Sequence, residues 1–204
     1  MNVTAIILAA GDSSRMGSPK ALLDFDGRPM IELVIETARA GGCTGVLVVL
    51  GADAEAIKTG ADLTGCTLLV NEHTEQGQIS SIKLGMRSLD FSNDACIVWP
   101  VDCPLAGAGD VKALIDTYKQ WRASLMRIFI PTFKGERGHP MLVDIGFRQP
   151  FMELGPDETA HKVIEDKYDQ VKEVETDNHG VLSDVDTPAD YDRVLADWQR
   201  RNAG

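Results

Sequence analysis

Four short apolar runs constrain the fold of this chain more than any other feature. Val3–Ala10 is a near-continuous apolar run that stops at Gly11, and Val46–Leu50 stops in the same way at Gly51. Thr67–Val70 and Ala95–Pro100 complete the set. A strand with one wet face alternates apolar and polar residues, whereas an unbroken run requires cover on both faces. The segments between the runs supply that cover. Met30–Ala40 carries apolar residues at 30, 31, 33, 34, 35 and 38, and it ends at Gly41-Gly42. Ala52–Gly60 reads as a short helix. Gln78–Leu89 places Ile79, Ile82, Met86 and Leu89 at helical spacing, and Asp110–Trp121 does so with Val111, Leu114, Ile115 and Tyr118. Alternation of this kind predicts a Rossmann-like, doubly wound α/β fold, a mostly parallel sheet with helices on both faces.

After Arg127 the rhythm changes. Arg127–Phe133 and Pro140–Val143 flank the polar turn Lys134-Gly135-Glu136-Arg137-Gly138, which predicts a small β excursion in the second half. Thr159–Lys167 reads as a helix and Val171–Glu175 as a short strand. A last helix begins near Pro188, where Thr187 can cap, proline holds the first helical position and Asp190 the third. A chain of 204 residues can bury roughly 70% of its unfolded surface, so one domain without staples is expected.

Charge narrows the function. The net charge is −11, and nucleic-acid or anionic-membrane binding rests on Lys and Arg neutralising phosphate, so neither partner is expected. A small anionic substrate must therefore meet a local cluster of positive charge. Cys43, Cys66, Cys96 and Cys103 show no CxxC spacing, and the four histidines form no ligand pattern with them; reduced, buried thiols are the expectation. There is no basic leader region, and the first apolar run is shorter than a membrane span, so a cytoplasmic location is expected. His73, His161 and His179 read as surface residues, Trp121 and Trp198 as packing residues, and Arg200-Arg201 as a solvated tail.

Residues 5–23, AIILAAGDSSRMGSPKALL, place a polar loop at the carboxyl end of the first strand, the edge where open parallel sheets bind ligands. Gly11 and Gly17 permit close backbone approach, successive N–H groups can form an anion nest, and Arg15 and Lys20 add positive charge. A P-loop requires GxxxxGK followed by Ser or Thr; here the glycines lie six apart and Lys20 follows Gly17 by three. No GxGxxG opens the following helix, which excludes the dinucleotide fingerprint. Further along, Asn71, Gly77, Ser80 and Ser81 surround a helix start suited to anions or polar base edges. Asp102, held between Pro100 and Pro104 after the fourth strand, is well placed for Mg²⁺. In an extended segment Asp184 and Asp186 point to one side, although Thr187 and Asp190 already account for a helix cap.

The pattern LAAG-x-S-x-RMG-x-x-K-x-L resembles the signature of MobA-like nucleotidyltransferases, closest to the molybdenum cofactor (molybdopterin) cytidylyl enzymes. The later motifs follow in order at 71–86, 98–105, 137–143 and 184–191. The resemblance implies a Mg²⁺-dependent enzyme that moves a nucleoside monophosphate from a nucleoside triphosphate to a phosphorylated acceptor and releases pyrophosphate. It implies that Leu8, Ala9, Ala10 and Gly11 lie along the nucleotide, that Ser13, Ser14, Arg15 and Lys20 contact its phosphates, and that Asn71, Gly77, Ser80 and Ser81 complete the nucleotide site. Arg15, Lys20 and Asp102 are the implied catalytic residues. Asp102 would hold the metal, with Asp186, nearer the helix start than Asp184, as the second ligand. Gly138, His139 and Pro140 match a GHP element on the acceptor side, where His139 serves as acceptor-site architecture, as a proton-transfer group or as a plain hairpin turn. The nucleotide-binding half spans about 1–110 and the acceptor half about 111–204. Ala10 in LAAG, where guanylyl members usually have LAGG, implies CTP as donor and a molybdopterin-type acceptor. Guanylyl transfer, a sugar- or polyol-phosphate acceptor, and a non-catalytic nucleotide-binding accessory role are the alternatives. Sequence leaves the oligomeric state open.

Overall fold

The computed structural model describes residues 1–11, 16–156 and 158–202. The first strand, β1 (Val3–Ala9), is central, with β2 (Gly45–Leu50) parallel on one side and β4 (Ala95–Pro100) parallel on the other. Residues alternate between the faces of a strand, and each face of β1 has its own helices. Val3, Ala5, Ile7 and Ala9 enter one core with Ile31, Val34 and Ile35 of α1 (Met30–Ala40) and Val111, Leu114 and Ile115 of α4 (Ala108–Trp121). Ile6, Leu8 and Ala10 enter a second core with Ile79, Ile82 and Met86 of α3 (Gln78–Ser88). Two covered faces are the physical reason for the unbroken apolar runs of β1, β2 and β4, whereas Thr67–Val70, the last strand on its side of the sheet, is largely exposed.

The sheet runs in the order β3 (Thr67–Val70), β2, β1, β4, β7 (Met141–Asp144) and β5 (Ile128–Phe133), and the expected doubly wound α/β architecture is present. Helix α2 (Ala54–Gly60) links β2 to β3. The later strands join the same sheet. β7 runs antiparallel between β4 and β5, and β6 (Glu136–Arg137) pairs antiparallel with β5. Lys134 and Gly135 turn that hairpin with φ of 51° and 84°, the left-handed pair that matches the twist of the flanking strands. β8 (Val171–Glu175) returns parallel to β5, after α5 (Gln149–Glu153) and α6 (Ala160–Asp166) have covered the α3 face.

A third cluster lies under α7 (Pro188–Asn202). Phe25, fully buried, meets Tyr191 and Trp198 edge-on with ring centroids 5.8 Å away in each case, and Leu105 and Val185 complete the cluster. Trp198 is thus a packing residue. Trp121, expected to pack, is instead exposed near the end of α4, with the Lys172 ammonium 4.7 Å above its ring. All four cysteines are free thiols, and burial pushes the Cys43 and Cys96 thiols up to about 12. Among the described residues no helix is long and apolar enough to cross a membrane.

Gly85 lets α3 lie directly on β1, because a Cβ there would sit 2.5 Å from Ile6 Cγ2. Replacing Gly85 with Val is expected to cost about 2 kcal/mol of unfolding free energy through overpacking. Gly109→Ala, a site with nothing within 4 Å, serves as the matched control. It is expected to hold stability or raise it by up to about 1 kcal/mol, with both variants followed by urea unfolding.

Candidate active site

Strand order reverses at β1, whose neighbours β2 and β4 connect onward in opposite directions, and a cleft of about 610 Å³ opens at this carboxyl edge. Leu8, Ala9, Ala10 and Gly11 line it where β1 ends. Gly51 allows the ends of β1 and β2 to close together, since a Cβ there would meet the Ala10 carbonyl oxygen at 2.7 Å. Ser13, Ser14 and Arg15 lie outside the described residues.

Lys20 stands in a short 3₁₀ turn, Lys20–Leu22, directly after Pro19. Its Nζ donates to Asp102 Oδ2 at 3.1 Å and to Asp186 Oδ1 at 2.6 Å. The Lys20 side chain is only 17% exposed, against 26% for Asp102 and 50% for Asp186, so solvent screens the pairs incompletely. Partial burial taken alone would lower the Lys20 pKa. The hydrogen bond to Asp186 and the field of Asp102 outweigh it, and the pKa is raised above 10.5.

Each carboxylate is fixed by its backbone. Asp102 follows β4 in a turn held by the Trp99 indole, which donates to the Cys103 carbonyl at 3.0 Å. The Asp102 carbonyl accepts from Val185 N at 2.9 Å, and this places the Asp184–Asp186 segment alongside. Val185 is fully buried, which turns its two aspartate neighbours away from the core. The cap of α7 belongs to other residues: Thr187 Oγ1 accepts from Asp190 N at 3.2 Å, and Asp190 Oδ2 accepts from Thr187 N at 3.0 Å. Asp186 therefore carries no capping duty and pairs with Lys20, while Asp184 acts on Cys103 and His139 through its charge.

The start of α3 divides its four expected residues. Gly77 (φ 76°) and Ser81 line the cleft. Asn71 and Ser80 are not among the lining residues. The buried Asn71 amide donates to Ser80 Oγ at 2.7 Å and Ser81 Oγ at 2.9 Å, and its Oδ1 accepts from His73 N at 2.9 Å. Asn71 is thus a brace between the end of β3 and the first turn of α3. On the other side, Gly138 packs so close to the Val181 carbonyl that a Cβ would lie 2.3 Å from its oxygen, and His139 N donates to the same carbonyl at 2.8 Å. The His139–Pro140 peptide is cis. His139 is exposed at the surface, yet the atoms packed about its ring lower its pKa below 6.5 by disfavouring the charged form, and the charges of Asp102 and Asp184 oppose this only in part.

Among the described residues no group of three or more His, Cys, Asp or Glu side chains forms a metal cage. Two carboxylates that already share one cation nevertheless suit Mg²⁺, which typically takes one or two protein carboxylates and fills its shell with water and phosphate oxygens.

Sequence reasoning missed several residues. Ala52 and Asp53 after β2 and Ile57 of α2 line the cleft, as do Thr74 and Glu75 after β3. The strand-edge rule applied to β1 points to the first group equally well. Arg201, expected in a solvated tail, instead donates to the Leu105 carbonyl at 3.1 Å and to Asn178 Oδ1 at 2.8 Å. His179 is exposed as expected and meets Asp197 at 3.0 Å.

The family model described as MobA-like NTP transferase domain matches residues 5–173. Nicotine blue oxidoreductase of Paenarthrobacter nicotinovorans is 32% identical over 198 residues, covering 95% of this chain and 96% of that protein. Rv0371c of Mycobacterium tuberculosis H37Rv superposes with a TM-score of 0.85 at 25% identity, over 96% of this chain and 97% of that one. A structure of Rv0371C in complex with manganese gives a TM-score of 0.82 at 23% identity, over 96% and 99% of the two chains.

Lys20→Met removes the cation between two carboxylates and is expected to cost about 1–2 kcal/mol at neutral pH, below the value for a sealed ion pair because the cleft is open. Since the folded-state pKa of Lys20 lies above 10.5, this contribution is complete below pH 10.5 and fades as pH rises through the folded value. Thermal unfolding from pH 7 to 11.5 should show a constant gap between wild type and variant up to about pH 10, narrowing above it.

Proposed function

The chain belongs to the MobA-like NTP transferase family and is a nucleotidyltransferase, and on that premise we propose that it transfers a cytidylyl group from CTP to a phosphorylated acceptor of the molybdopterin type, with Mg²⁺. The observation that carries the reading is the meeting of Lys20, Asp102 and Asp186 beside the carboxyl end of β1. An acceptor phosphate oxygen attacks the α-phosphorus in line, a new P–O bond forms, the bond to the β-phosphate oxygen breaks and pyrophosphate leaves. A phosphate nucleophile is anionic at neutral pH, so no general base is required.

The protein's part is then positioning and charge compensation. The backbone from Leu8 to Gly11 lies along the nucleotide, and Gly77 and Ser81 present the first turn of α3 to it, with Asn71 and Ser80 bracing that turn. Lys20, with Arg15, Ser13 and Ser14, compensates charge on the departing pyrophosphate. Asp102 and Asp186 would hold Mg²⁺, which would supply charge neutralisation for the transfer. Gly138, His139 and Pro140 shape the acceptor side, and the chain divides into a nucleotide half at about 1–110 and an acceptor half at about 111–204. Ala10 and the GHP element favour the cytidylyl donor. Four free thiols fit a reducing, cytoplasmic setting.

Resemblance along nearly the whole chain to a relative named an oxidoreductase raises a second reading, electron transfer. Against it, no GxGxxG dinucleotide loop is present, and a cation shared by two carboxylates serves phosphoryl chemistry better than hydride transfer.

Pyrophosphate release with CTP, GTP, UTP and ATP, in the presence of Mg²⁺ and a molybdopterin-type acceptor, tests the proposal. CTP is expected to give the most product, and Asp102→Ala to lose about 10²–10³ in rate with its fold intact. Equal turnover of all four nucleotides would remove the cytidylyl assignment. Oxidation of a reduced nicotinamide cofactor that is indifferent to Mg²⁺ and to Asp102→Ala would favour the redox reading.

A further inference from the structure

Among the described residues Asp110 is the single charged side chain that is buried, at 6% exposure. It stands in the first turn of α4, and no motif singled it out. Burying a carboxylate is costly unless donors replace water. Its Oδ2 accepts from Gly107 N at 2.7 Å and from Asn178 Nδ2 at 2.7 Å, and its Oδ1 accepts from Thr176 Oγ1 at 2.5 Å. Only the Gly107 contact is needed to cap α4; the other two reach a different part of the chain.

That part is the connection from β8 to α7, which carries Asp186. Apart from the bond from Thr176 N to the Thr132 carbonyl, it follows no strand, and side chains and loop carbonyls set its course. Asn178 Nδ2 also donates to the Leu105 carbonyl at 3.0 Å, and Val185 N donates to the Asp102 carbonyl at 2.9 Å. Gly180 packs where a Cβ would lie 2.3 Å from the Leu105 oxygen. The loop that carries Asp102 and the strap that carries Asp186 are thus joined at both ends, and Asp110 grips each of them, the loop at Gly107 and the strap at Thr176 and Asn178.

We propose that Asp110 is a positioning residue that sets the mutual placement of the Asp102 and Asp186 carboxylates by clasping the strap through Thr176 and Asn178. The inference rests on the metal-dependent nucleotidyl reading given above. A buried carboxylate held by neutral donors gives a clasp of defined direction, whereas an apolar contact would let the strap slide. Asp110 touches neither cleft nor substrate and acts through Asp186.

The test is Mn²⁺ binding followed by electron paramagnetic resonance of the free ion, on the full-length protein with CTP, alongside the kinetics of pyrophosphate release. Asn178→Ala and Thr176→Val are expected to weaken Mn²⁺ binding about tenfold and to lower kcat, with KM for the nucleotide within twofold of wild type. Thr176→Ser keeps the hydroxyl and should restore wild-type affinity. Asp110→Asn should behave as Asn178→Ala does, and the two strap variants stand alone if it fails to fold. In an Asp186→Asn background, Asn178→Ala should have no further effect on Mn²⁺ affinity. Strap variants that match wild type in Mn²⁺ affinity and kcat while losing thermal stability would overturn the inference, since that is the outcome of a purely structural clasp. So would an equal loss of affinity from Asn178→Ala in the Asp186→Asn background. Failure of the nucleotidyl reading shows instead in the wild type, as absence of both Mn²⁺ binding and pyrophosphate release.

Discussion

The ammonium of Lys20, shared by Asp102 and Asp186, is the interaction around which the cleft is organised. Its three members come from the segment after β1, the turn after β4 and the strap before α7, and Lys20 and Asp186 stand 166 residues apart in sequence. Two carboxylates facing one space repel each other unless positive charge stands between them. Lys20 supplies that charge to Asp102 and Asp186. The cluster keeps a charged site assembled in a chain whose overall field, at −11, opposes an anionic substrate.

The rest of the architecture serves to hold these three segments still. β1 and β4 lie side by side with every residue of β4 buried, so their carboxyl ends form a rigid floor. The cluster around Phe25 ties the segment that follows Lys20 to α7 and Val185. Asp110 fixes the Asp102 loop to the strap. Rigid support matters because transfer at phosphorus depends chiefly on placement and charge, both lost when a supporting contact loosens.

Much of this was legible in the sequence, for identifiable reasons. Burial on two faces leaves unbroken apolar runs, so β1, β2 and β4 were readable from composition, and β3 and β8 have the expected bounds. Asp102 stood out as a carboxylate at a strand edge and Asp186 through the family resemblance, and the structure brings both to Lys20. Ranges such as Ala52–Gly60 ran long because their first residues form a turn, with Ala54 N bonded to the Gly51 carbonyl. The antiparallel insertion of β7 between β4 and β5 leaves no local signature, since partner choice depends on contacts distant in sequence. The bracing role of Asn71, the reach of Arg201 back to Leu105 and the clasp at Asp110 are likewise long-range, and a polar residue gives no indication from spacing alone of which partner it will find.

On the proposed metal-dependent transfer, a divalent ion bound with the nucleotide would take the place that Lys20 holds between Asp102 and Asp186. A crystal structure with Mn²⁺ and a non-hydrolysable CTP analogue, read by the anomalous signal of manganese, tests it most directly. The expected result is one strong peak in coordination distance of both carboxylates, with Lys20 Nζ moved onto a phosphate oxygen. Manganese bound elsewhere, with Lys20 still bonded to both aspartates beside a bound nucleotide, would contradict it.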